Sequence, residues 1–101
     1  ILQIENALLD TEEKRIAAER LIDKVGEFDP EKQSEDNLEK INGLGPITVQ
    51  QLHELGIFTY HQVSKMTMKE YNDLDLIIET FSASVAKEKD FAGQAQKLKN
   101  N

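Results

Sequence analysis

The sequence has no cysteine, no tryptophan, two prolines and no arginine after Arg20. Without cysteine there is no disulfide frame, no thiol chemistry and no thiolate metal site, and the chain suits a reducing, cytoplasmic setting. No apolar run approaches the ~20 residues that span a bilayer, so no membrane contact is expected within this chain. No signal peptide is visible, and a start at Ile1 without methionine suggests a piece of a longer protein. Catalytic constellations are also missing. His53 and His61 have no third partner at metal-ligand spacing, and Asp73, Asp75 and Glu79 read as an exposed helical face rather than converging carboxylates. The sequence therefore predicts no enzyme, no metal and no cofactor.

What is present is charge and helical periodicity. Charged residues make up 31% of the chain and apolar residues 39%, the balance of a helical protein with a thin core and a long solvated face. The net charge of −7 is unevenly placed. Residues 1–37 carry eleven acids against five cations, whereas residues 38–101 carry eight acids against seven lysines, so the second part is nearly neutral. A near-neutral module neither attracts nor repels polyanions at long range.

Residues 1–29 read as an amphipathic N-terminal arm, helical from Ile1 to about Val25. Ile1, Ile4, Leu8, Thr11, Arg15, Ala18, Ile22 and Val25 follow alternating three- and four-residue steps, a heptad seam. Such a seam implies a coiled coil and a homodimer; the competing reading packs the stripe on the chain's own C-terminal domain. Asp10 with Lys14, and Arg15 with Glu19, are helix-supporting pairs at i, i+4. Residues 30–37, following Gly26 and Asp29-Pro30, read as a polar linker and hinge, with Ser34 or Asp36 available to cap the next helix.

Residues 38–101 form the second domain. Leu38 and Ile41 end one short helix; Gly43, Leu44 and Gly45 make a tight turn; Pro46 opens a second helix carrying Val49, Leu52 and Leu55. Gly56 suits a helix C′ position. Thr59 with Gln62 and Thr67 with Glu70 are capping boxes that predict helices at about 60–65 and 68–79. Phe58, Val63, Met66, Tyr71, Leu74, Ile77 and Ile78 are the expected buried face. Residues 82–89 read as a loop, and Asp90 caps a last helix to about Leu98 with Phe91, Ala95 and Leu98 turned inward.

The spacing of Ile41, Gly43, Leu44, Gly45, Val49 and Leu52 resembles the helix-hairpin-helix family. The likeness continues through Leu55-Gly56-Ile57-Phe58-Thr59-Tyr60, Val63, Met66 and Asp90-Phe91-Ala92-Gly93-Gln94-Ala95, covering about residues 34–99. It looks like a bacterial subtype found as small appended modules, among them on some large-subunit ribosomal proteins and respiratory-chain subunits. Two departures stand out: Pro46-Ile47-Thr48 lacks the lysine or arginine members often carry, and Phe91 replaces a frequent tryptophan. The resemblance implies that main-chain amides of Gly43, Leu44, Gly45, Ile47 and Thr48 contact a nucleic-acid phosphate, with Lys40 the cation nearby in sequence. Lys87, Lys89, Lys97 and Lys99 form a basic edge that could accompany them.

The fold expected is all-α: a long N-terminal helix followed by a compact five-helix module with the hairpin at its head. The function expected first is a non-enzymatic adaptor in a larger protein or assembly, its protein partner unnamed by the sequence. The alternative is weak, sequence-independent binding of a DNA or RNA backbone.

Overall fold

The computed structural model describes residues 9–100, which are all-helical with no strand among them. Six α-helices follow in order: α1 Glu12–Val25, α2 Pro46–Glu54, α3 Tyr60–Ser64, α4 Met68–Ile77, α5 Ala83–Lys89 and α6 Phe91–Lys99. A 3-10 turn, Leu38–Lys40, precedes α2. One apolar core runs from Ala17 and Leu21 of α1 through Leu38, Ile41, Leu52, Ile57 and Leu74 to Phe91 and Ala95 of α6.

The N-terminal arm differs from the expected continuous helix, since α1 starts only at Glu12. Thr11 has extended backbone and its side chain accepts from the Lys14 amide, so it caps α1 rather than lying within a helix. The buried stripe of α1 is Ala17, Ala18, Leu21 and Val25, which faces this chain's own α4. Ala18 and Val25, expected at a seam between chains, are thus core residues; Ile22 is half-buried, with its Cδ1 3.7 Å from where a Cβ on Gly56 would lie. Arg15 is exposed and pairs with Glu12 at 3.4 Å instead of Glu19. Ile1, Ile4 and Leu8 lie outside the described residues. A homodimer joined along the described part of this stripe would have to unpack α1 from α4.

Two acids of α4 hold α1 in place. Arg20 meets Asp73 with Nη2–Oδ1 2.6 Å and Nε–Oδ2 3.3 Å, a two-pronged contact on a buried carboxylate. Lys24 lies 3.8 Å from buried Glu70. Asp73 is therefore no part of an exposed acidic face; Asp75, also expected there, accepts from the Ala83 amide at 2.8 Å and helps start α5.

The connector is fastened rather than loose. The Asp36 amide donates to the Phe58 carbonyl at 2.9 Å, and its carboxylate accepts from the Tyr60 amide at 2.8 Å. Asn37, not Ser34 or Asp36, caps the 3-10 turn. At the centre of these loops sits Gln62, buried in α3. Its Oε1 accepts from the Phe58 amide at 2.7 Å and the Thr59 amide at 3.1 Å, while its Nε2 donates to the carbonyls of Gly26 at 2.8 Å and Gly56 at 3.0 Å.

Residues 82–89, expected as a loop, contain α5. Ser82 caps it by accepting from the Val85 amide, and its inward face is made of Ala83 and Ala86, too small to register as an apolar stripe. Asp90, in the left-handed conformation at φ 55°, ends α5 and caps α6, so the two helices meet at a sharp corner.

Candidate nucleic-acid interface

The hairpin begins in a 3-10 turn, not in a full first helix. The Ile41 amide donates to the Leu38 carbonyl and the Leu44 amide to the Ile41 carbonyl, so the chain tightens in successive i→i+3 steps before α2 starts. Gly43 takes φ 112°, a backbone conformation that side chains rarely tolerate. A Cβ there would also sit 2.7 Å from Cε1 of Phe91 and 2.8 Å from Cδ of Lys89. The absence of a side chain at Gly43 thus lets the hairpin lie directly on the α5–α6 corner.

Gly45 is a different case. Its φ is −92° and an added Cβ would meet nothing within 4 Å. It is the N-cap of α2 and supplies no capping side chain, so the first turn of α2 keeps open donors. Among the described residues the amides of Gly43, Gly45, Ile47 and Thr48 make no backbone hydrogen bond; Gly43, Gly45 and Ile47 are exposed, whereas Thr48 is buried. The Leu44 amide, expected with them, is spent on Ile41 and its side chain is buried. Ile47 is exposed, while the Thr48 side chain turns to the Thr80 hydroxyl at 2.6 Å.

The corner beneath the turn fixes its position. Gln94 accepts from the Asn42 amide at 2.7 Å and returns a bond from Nε2 to the Asn42 carbonyl at 3.1 Å; the same Nε2 reaches the Lys89 carbonyl at 2.8 Å. Below, Phe91 is edge-on to Phe81 at 5.8 Å and to Tyr71 at 6.3 Å, and the Tyr71 hydroxyl accepts from the Ala92 amide at 3.0 Å. Burial, the larger influence, pushes the Tyr71 phenol up, so it stays protonated at neutral pH.

This corner changes the charge at the hairpin. Lys40 is exposed on the 3-10 turn, and the stem of Lys89 runs beside Gly43, so a second lysine lies next to the turn from α5. Lys99, also expected on the basic edge, is engaged elsewhere, 3.2 Å from His61 Nδ1. Burial foremost, then Lys99 and Lys65, holds His61 below its ordinary pKa. His53 lies in a separate aromatic stack against Phe58, with centroids 4.7 Å apart. No group of three or more acids, histidines or cysteines among the described residues is arranged to hold a metal.

Lys40 and the amides of Gly43, Gly45, Ile47 and Thr48 are named from the sequence. Gln94 enters there only within the family likeness, with no role at the turn, and Lys89 only as part of an edge, since nothing in the spacing shows that α5 and α6 turn back under residue 43.

Residues 38–99 match the RS2/RL21/YNQ2 HHH domain family. Over 71 residues the chain is 35% identical to the large ribosomal subunit protein bL21 of Mesorhizobium japonicum (strain LMG 29417 / CECT 9101 / MAFF 303099), an alignment covering 70% of this chain and 30% of that protein. The likeness thus spans less than a third of that relative's length. No solved structure matches the chain.

Proposed function

We propose, since this chain belongs to the RS2/RL21/YNQ2 HHH domain family, that it is a non-enzymatic attachment module whose hairpin holds a nucleic-acid phosphate without reading sequence. The carrying observation is Gly45. At a position where Ser or Asp would stabilise α2 by capping it, the chain keeps a residue that leaves the first-turn amides open and puts no atom in front of them. Open amides at a helix start, in the positive end of the helix dipole, suit an anion. Lys40 and Lys89 bring two cations to the same turn, and phosphate affinity depends on such cations. Two are few, so the contact is weak and works as one anchor among several. That suits a small appended module of a larger protein in a cytoplasmic assembly, and it agrees with the likeness to bL21, a protein of the large ribosomal subunit.

Titration of labelled duplex RNA and DNA at low and moderate salt tests this. Binding should fall with salt with a slope in log K of about −2, near 0.9 per neutralised phosphate. Lys40→Glu with Lys89→Glu should abolish it. Absence of binding at low salt removes the reading. The adaptor role through protein contact would then rest on the depression of about 300 Å³ lined by Ile22, Phe28, Leu55 and Phe58.

A further inference from the structure

We propose that the small cavity beside the hairpin receives the sugar of a nucleotide next to the held phosphate, and that its hydroxyl groups make the module favour RNA over DNA. This rests on the phosphate reading above. The cavity has a volume of about 180 Å³. Gly43, Thr48, Thr80, Ser82, Phe81 and Phe91 line it, with the Thr48 and Thr80 hydroxyls side by side at 2.6 Å. No acid, histidine or lysine lines it, so neither a metal nor a free anion has a partner there, whereas a neutral ring with hydroxyl groups does.

The hydroxyls are arranged to exchange hydrogen bonds with a further one. Thr48 and Thr80 share a short 2.6 Å contact that either hydroxyl can donate, and Thr80 can instead donate to Gln51 Oε1 at 3.4 Å. Lone pairs on both threonine oxygens are left to accept. The Ser82 oxygen, also in the lining, accepts from the Val85 amide at 3.3 Å and pairs with Ser84 at 3.1 Å, a contact either hydroxyl can donate. A ribose 2′-hydroxyl both donates and accepts, which fits this pairing, and deoxyribose has nothing to offer it.

The test compares labelled single strands of one sequence made as RNA, as DNA and as 2′-O-methyl RNA, at low salt. The intact chain should bind RNA about three- to tenfold more tightly than the other two, the value of one or two net hydrogen bonds. Thr80→Val, at an exposed position, should bring RNA down to the DNA level while DNA binding stays constant. Equal binding of RNA and DNA by the intact chain, or an RNA preference that survives both Thr80→Val and Thr48→Val, overturns this proposal alone. Failure to bind any of the three strands overturns the phosphate reading and this one together.

Discussion

Gln94 holds both polar groups of the Asn42 main chain, accepting from its amide at 2.7 Å and donating to its carbonyl at 3.1 Å across 52 residues of sequence. A side-chain amide that bonds both the N–H and the C=O of one residue fixes the peptide planes on either side of its Cα, as a strand neighbour would. The hairpin is thereby set by α6 rather than by its own short 3-10 turn. Gln94→Ala should lower stability by about 1–2 kcal/mol in a urea titration. It should also speed hydrogen exchange at the Asn42 amide more than at amides of α1. Equal protection of Asn42 in both proteins would show that the turn holds itself.

The two hairpin glycines should respond differently to alanine. Gly43→Ala meets both a left-handed backbone and the Phe91 ring, so we expect a loss of about 2–5 kcal/mol from strain and overpacking together. Gly45→Ala meets neither and should cost no more than about 1 kcal/mol. Gly45→Asp is the sharper probe. The new carboxylate can cap α2 from within, adding a few tenths of a kcal/mol while closing the amides to any outside anion. Thermal melting alongside phosphate-backbone titration checks the pair; a Gly45→Asp protein that binds as well as the original contradicts the role given to this residue.

Gln62 predicts a larger effect of a single polar side chain in the core. Replacing it with leucine keeps the volume but strands the amides of Phe58 and Thr59 and the carbonyls of Gly26 and Gly56. Unsatisfied buried groups cost about 1–3 kcal/mol each before relaxation and water entry, so a net loss of about 2–4 kcal/mol is expected by denaturant titration. Gln62→Glu should fare worse than Gln62→Ala, because it keeps the acceptor, loses the donor and buries a charge.

These residues also show what a sequence can disclose. Local chemistry was legible: the capping pairs Thr59–Gln62 and Thr67–Glu70, the C′ glycine Gly56 at φ 95°, and the Asp90 cap all stand where their spacing places them. The core face of α4 followed from periodicity, as Tyr71, Leu74 and Ile77 are buried. Long-range relations were not legible. Heptad spacing fits a seam between chains and a stripe on a domain equally well. The contacts seen here, Arg20 with Asp73 and Ala18 and Val25 inside the core, join segments some fifty residues apart or depend on helix orientation. Helix α5 escaped because alanines bury little area and leave no hydrophobic period.

Acid should weaken the fold through Glu70. Burial opposes its charge, but the Thr67 hydroxyl and amide, at 2.7 and 2.6 Å, together with Lys24, outweigh that and hold the carboxyl below its ordinary range. Its folded pKa is therefore lower than the unfolded value of about 4.3, and in that interval the unfolded chain binds more protons. The contribution is complete above the unfolded value and is lost as pH falls through the folded one. His61 has the same sign in a higher window, because its folded pKa lies below the unfolded value of about 6.5. Urea midpoints taken from pH 7 downward should thus decline first below about 6.5 and again below about 4.3. Glu70→Gln keeps a capping oxygen for Thr67 without the titrating charge, so it should remove the lower step and spare the upper, whereas His61→Gln should do the reverse. A lower step unchanged in Glu70→Gln would assign acid sensitivity to other carboxylates and strip Glu70 of this role.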